Sequence, residues 1–280
     1  MDLACEERPS DSPYVEMIWR GQGISAGSFT SMAEIHCGLV VTKLHGHMTI
    51  TVRGPETRPS PAYCPPDAEF FGILFKPGAY MPRFPAQSVM DRKDVNLPNA
   101  SSTSFWLGSA AWEFPNFENI DTFLKRLVRH GLLIHDPVVE QALHGRPADM
   151  SVRTAQRHIL RASGMTLNTI RQIERARHAA RLLQGGTSIL DTVVQAGYFD
   201  QPHLTRSLKH YIGQTPAQLI NPNRAARLSF LYKTSQIASA MIQMFDLQQE
   251  QPNAETNRIG ISVGGWRHRS AGDVAFPLRE

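Results

Sequence analysis

Six hydrogen-bonding side chains, Gln201, His203, Thr205, Arg206, Lys209 and His210, crowd the stretch AGYFDQPHLTRSLKHYIGQTP between Ala196 and Pro216. Among them run Leu204, Leu208, Tyr211 and Ile212 at i, i+4, i+7 and i+8, the spacing of one buried helix stripe. A helix built this way turns its polar heads outward together. Arg206 can fork two N–H donors to guanine O6 and N7, and Gln201 can pair an adenine edge, each worth roughly 1 to 3 kcal/mol of discrimination between bases. Lys209 and His210, further along, suit phosphates, which supply affinity without sequence information. Any one of these residues would be unremarkable on a solvated face. Their convergence on one side of a capped helix favours a polyanion whose bases are also read.

The flanking residues specify the elements that would hold these heads. Ser188 with Asp191 three residues later starts a short helix, ILDTVVQA, that ends at Gly197. Asp200 is an N-cap, Pro202 fits the first turn where a missing N–H costs little, Gly213 ends the helix, and Thr215-Pro216 starts another. Helix, glycine turn, then helix with an apolar back and a donor-rich front is a helix-turn-helix, whose second helix enters the DNA major groove by its N-terminal residues. MSVRTAQRHILRASGMT repeats the plan. There Ser151 is the N-cap, Val152, Ala155, Ile159 and Ala162 form the expected buried stripe, Arg153, Gln156, Arg157 and Arg161 face outward, and Gly164 closes the helix. Arg157 and Arg206 are equivalent positions, 49 residues apart. Between the units, LNTIRQIERARHAARLLQGG carries the apolar line Ile170, Ile173, Ala176, Ala180 and Leu183, which predicts one rigid helix of about 19 residues, close to 28 Å long. Two recognition helices so spaced could occupy successive major-groove segments roughly 34 Å apart on one DNA face.

The rest of the chain reads differently. From about Tyr14 to Phe117, MTITVR alternates apolar and polar residues, while GLVVTKL and EFFGILF are short apolar runs punctuated by Gly or Pro. From Ile120 the period becomes helical, through Phe123, Leu124, Leu127 and Val128. The expected fold class is α+β multidomain: a β-sandwich or barrel-like domain at 1–116, an all-α double helix-turn-helix domain at 117–221, and an extension at 222–280 with one amphipathic helix (Ile237, Met241, Met244, Phe245) and a loose tail. Charge divides the same way. Thirteen Lys and Arg stand against four acids between Arg146 and Lys233, a net of +9, and the remainder carries −5. No apolar run is long enough for a membrane span, and the opening MDLACEERPSDSP has no apolar leader, so a cytoplasmic chain with no membrane partner is expected.

Catalytic and cofactor chemistry finds little purchase. Cys5, Cys37 and Cys64 follow neither a disulfide framework nor a zinc spacing. His45-Gly46-His47 invites a cupin metal reading, but no acid follows before Glu56. There is no nucleophile elbow, P-loop, dinucleotide fingerprint or paired catalytic carboxylate, so no catalytic residue, metal or cofactor is expected. Trp19, Trp106, Trp112, Phe70, Phe71 and Phe75 could line an apolar ligand pocket, although aromatics in a β domain more often fill its core.

On these residues the segment from about 136 to 221 resembles the AraC/XylS family of bacterial transcription regulators. SVRTAQRHILRASG looks like that family's first recognition helix, and AGYFDQPHLTRSLKHYIGQTPAQL is very similar to its signature. The resemblance implies that Arg153, Gln156 and Arg157 in the first helix, and Gln201, His203, Thr205 and Arg206 in the second, face DNA. Ala155 and Ile159 replace the family's usual leucine and phenylalanine, HGRPADM compresses the region before the first recognition helix, and Pro202 gives up a reading head. GILFKPGAYMP and SFWLGSAAWEFPN resemble, more weakly, the sensor-like β domains of some members. The partners implied are double-stranded DNA with a two-part operator and, as further candidates, RNA polymerase, a small-molecule effector and a second copy of the chain. Two competing readings remain at this level: an enzyme fused to the DNA reader, either an alkylation-repair methyltransferase or a metal cupin, and a partner-binding regulator without an effector.

Overall fold

The computed structural model describes residues 3–91, 93–143 and 150–221. The predicted amphipathic helix around Ile237–Phe245, the loose tail and most of HGRPADM therefore lie outside the described residues.

The N-terminal half is β-rich. Its strands are β1 (Leu3–Arg8), β2 (Val15–Gly23), β3 (Gly27–Ser31), β4 (Gly38–Leu44), β5 (His47–Arg53), β6 (Ser60–Cys64), β7 (Glu69–Phe75), β8 (Ala79–Tyr80), β9 (Val95–Leu97), β10 (Ser104–Leu107), β11 (Ala110–Glu113) and β12 (Ile134–His135). Six of them form one antiparallel sheet in the order β1-β2-β7-β4-β5-β9, while β3 pairs with β6, β10 with β11 and β12 with β8. Sequence pattern follows cover. β5 alternates because Ile50 and Val52 enter the core while Thr49 faces water, whereas β7 is apolar almost throughout because both of its faces are covered. One face contributes Phe71, Ile73 and Phe75 to the main core with Ile18, Leu39, Val41 and Trp112. The other packs Leu74 and Phe70 against Met17 and Trp19.

Of the six aromatics, Trp19, Trp112, Phe71 and Phe75 are buried in these cores and Phe70 is packed against one; Trp106 is exposed. His45 and Gly46 make the two-residue turn between β4 and β5, with φ of 49° and 80°, so the histidine pair sits at a hairpin tip of the primed type that Gly favours.

The helices are α1 (Ala86–Val89), α2 (Ile120–Arg129), α3 (Pro137–Leu143), α4 (Val152–Ser163), α5 (Leu167–Gln184), α6 (Ile189–Gln195), α7 (Gln201–Tyr211) and α8 (Pro216–Ile220). α2 buries Ile120, Phe123, Leu124 and Leu127 in the main β core, so it is part of that core by packing. α1 lies between β8 and β9 and also contributes Ala86 to that core, and α3 to α8 form the C-terminal half. Among the described residues, no helix is long and apolar enough to cross a membrane.

Candidate nucleic-acid interface

Local chemistry sets each helix end as the sequence predicts. The Ser151 side chain accepts from the Thr154 backbone N–H, Ser188 from Asp191, Asp200 from His203, and Thr215 forms a reciprocal capping box with Gln218. Such caps are each worth about 1 kcal/mol. Between α6 and α7 the chain reverses at Gly197, whose φ of 65° a side-chain-bearing residue adopts only with strain. α7 then buries Leu204, Leu208 and Ile212 completely, with Tyr211 half-buried. At roughly 1.5 to 3 kcal/mol for each buried leucine or isoleucine, this stripe fixes the rotation of α7. That rotation decides which side chains meet water.

Gln201, Arg206, Lys209 and His210 are exposed on α7. Thr205 is half-buried, as is His203, whose ring stands edge-on to Tyr198 with centroids 5.1 Å apart. On α4, Arg153, Gln156, Arg157 and Arg161 are all exposed. Arg161 leans toward the β-rich half, with its guanidinium 3.8 Å from Asp136 Oδ2 and 5.9 Å from the Tyr80 ring centroid. The other three keep their heads outward. Val152 departs from its expected place: Ile159 and Ala162 of the predicted stripe are buried and Ala155 half-buried, but Val152 is 75% exposed. It is the first residue after the N-cap and belongs to none of the buried clusters.

α5, 18 residues long, joins the two units and is buried along most of its circumference. Ala176, Ala179 and Ala180 let other elements approach it closely. One is the segment 32–36 of the β-rich half. Met32 packs into the core of the second unit with Leu183, Leu204 and Leu208, while Ala33 and Ile35 pack into the core of the first with Ile159, Ile170 and Ile173. The Ala33 backbone N–H donates to the Tyr211 carbonyl at the end of α7, 2.8 Å away.

A buried ionic cluster pins this segment to α5. Arg177, 2% exposed, donates through Nη1 to the Ala33 carbonyl at 3.0 Å and to Glu34 Oε2 at 2.8 Å. The other Glu34 oxygen takes the Ile35 and His36 backbone N–H groups and the His36 ring. Glu174, also 2% exposed, lies 3.6 Å from Arg177 Nε. Burial would raise the Glu34 carboxyl, but Arg177 and His36 outweigh it and hold it well below the ordinary carboxylate range. Burial would lower His36, and here Glu34 wins, so the imidazole is raised and favours its charged form. Burial raises Glu174, only partly offset by Arg177. Cys37, beside this cluster, has its thiol pushed up to about 12, mainly by burial. Such a thiol is a poor nucleophile at neutral pH.

The segment at 32–36 carries no helix or strand period, so its role was not predicted. Arg177 did leave a signal, since it stands at i+4 from Ile173 and three residues before Ala180, inside the apolar line rather than beside it.

Comparison with known proteins bears on the same region. Residues 146–221 match a family of helix-turn-helix domains, and no curated protein and no solved structure matches the chain. The match spans both recognition helices and the spacer helix between them, and with the β-rich half ahead of it supports an AraC-type DNA-binding regulator.

Proposed function

We propose that the chain is a sequence-specific regulator that reads a two-part operator with α4 and α7, and whose β-rich half conveys a bound ligand or protein contact to those helices through residues 32–36. The reading half is 117–221 and the sensing half is centred on 1–116, with α2 joining the latter's core. The observation that carries this is the segment from Met32 to His36, which is shared between the cores of both units and tied to the spacer helix by Glu34 and Arg177. A shift of that segment would change how the two recognition helices sit relative to each other, and so which spacing of half-sites they fit. An effector, RNA polymerase or a second copy of the chain would act on that geometry.

In the proposed complex Arg153, Gln156, Arg157, Gln201 and Arg206 face base edges, His203 and Thr205 border the groove from half-buried positions, and Arg161, Lys209 and His210 lie toward the backbone. The test is selection of operator DNA from a random duplex library with the full chain, followed by mobility-shift titration of variants. Arg206→Ala should cost about 1 to 3 kcal/mol, roughly fivefold to 150-fold in Kd, at one guanine of the second half-site. Unchanged specific binding by Arg206→Ala would overturn the assignment of α7.

A further inference from the structure

Val152 is an apolar side chain left exposed at the N-terminal end of α4, directly after the Ser151 cap and outside every buried cluster. Scattered exposed apolar residues are ordinary on any protein surface. Two observations set this one apart. Val152 stands one helical turn before Gln156, so the two share a face of α4. The 49-residue offset that superposes Arg157 on Arg206 and Gln156 on Thr205 also superposes Val152 on Gln201, the first exposed head of α7. The same register equates Ser151 with Asp200, and both are N-caps in the structure.

The substitution is chemically pointed. Gln201 offers a donor and an acceptor to a base edge, whereas a valine at the equivalent place offers two methyl groups and neither. The apolar group exposed on the major-groove edges of base pairs is the thymine 5-methyl. Valine is also stiff about χ1, so its methyls are already directed when DNA arrives and little rotamer freedom is lost on contact. Nothing in the fold requires it: it lies outside every buried cluster, at 75% exposure.

We infer that Val152 is a specificity-determining residue that reads the 5-methyl group of a thymine in the half-site bound by α4, at the step corresponding to the base that Gln201 reads in the other half-site. The inference rests on the reading of α4 and α7 as recognition helices. It gives the two half-sites different codes at their equivalent position, a methyl contact in one and a hydrogen-bonded edge in the other.

The experiment uses the full chain and the operator selected above. The α4 half-site is the one whose protection from cleavage is lost in Arg157→Ala. Each thymine in that half-site is replaced singly by deoxyuridine, which removes the methyl group and keeps every hydrogen-bonding atom. One replacement should weaken wild-type binding by about threefold to fivefold, the worth of roughly one buried methyl. Val152→Ala should bind the thymine operator correspondingly weaker and be indifferent to the same replacement, while Val152→Thr, which keeps one branched methyl, should retain part of the preference. Thermal unfolding of Val152→Ala should match wild type, since the side chain is exposed. Two results would overturn the inference alone: no deoxyuridine position matters in the α4 half-site, or the loss is the same size in Val152→Ala. If selection yields no specific sequence, the DNA-reading assignment fails and the inference goes with it.

Discussion

The two helix-turn-helix units are built to one plan and supported in two ways. The second unit is largely self-sufficient: α7 rests on Ala176, Ala179, Ala180 and Leu183 of α5 and on Ala196, Tyr198 and Leu219, with Met32, among the described residues, the only buried one of the β-rich half in that cluster. The first unit shares its cluster with Ala33, Ile35 and Tyr80, and further ties reinforce the contact. The His158 ring nitrogen lies 2.6 Å from Asp136, whose own backbone N–H donates to Gly78 at 2.8 Å, and β12 pairs with β8 just before α3. One reading head is carried by the spacer helix and the other is shared with the β-rich half. On the proposed function, a change of state in the β-rich half would therefore reach α4 before α7, and the first half-site is where regulation should show.

The strongest way to break this comparison is to remove the tie common to both units. Arg177→Ala leaves Glu174 and one oxygen of Glu34 buried without the guanidinium, and losing one member of a buried ion pair costs about 3 to 5 kcal/mol. Denaturant unfolding should show that loss, and footprints of what remains folded should show both half-sites weakened. Arg177→Met together with Glu34→Gln, which removes both members of their ion pair, should be milder than Arg177→Ala alone. If Arg177→Ala were as stable as wild type, the cluster would not be joining the halves.

A narrower cut separates the units. Asp136→Ala removes the carboxylate that accepts from the Val138 N–H and faces His158, leaving these groups in a mostly buried site, at a cost of about 1 to 3 kcal/mol. Because these contacts serve α3 and α4, protection of the first half-site should weaken while that of the second persists. Equal loss at both half-sites would mean that the two heads are not supported separately.

The contrast also governs how much could be read from the chain. Much of what near neighbours in sequence fix was legible: the four N-caps at Ser151, Ser188, Asp200 and Thr215, the turn at Gly197, the stripe of α7, and strands β4 and β7 to the residue, though not the Thr166 cap of α5 or the β10–β11 hairpin. Contacts between distant residues were not. Glu34 meets Arg177 across 143 positions, and neither an arginine inside the apolar line of α5 nor the irregular 32–36 run announces its partner. Val152 failed for a different reason. Helical periodicity continued its stripe to the first residue after the cap, but cover depends on which neighbour lies there, and none does. α2 has a clear helical period, yet period alone does not say whether an amphipathic helix buries its face on a sheet or on other helices.

The gentlest perturbation changes a proton. His36 sits against Glu34 with its folded pKa raised above the unfolded value of 6.5, so the stability it contributes is fully present below pH 6.5 and is lost as the pH rises through the raised value. Glu34 does not oppose this, because its folded pKa lies well below 4.5 and its contribution is complete throughout that range. Glu174 acts in the same direction as His36: its raised carboxyl costs stability as the pH climbs from 4.5 toward its folded value. Wild-type protein should therefore lose unfolding free energy as the pH rises above 6.5, and His36→Gln should remove the histidine part of that slope. Denaturant midpoints measured from pH 6 to pH 9 compare the slopes, and parallel curves for wild type and His36→Gln would sink the assignment. If the slope is there, the same pH rise should loosen the first half-site footprint ahead of the second, since α4 depends on the β-rich half more heavily than α7 does.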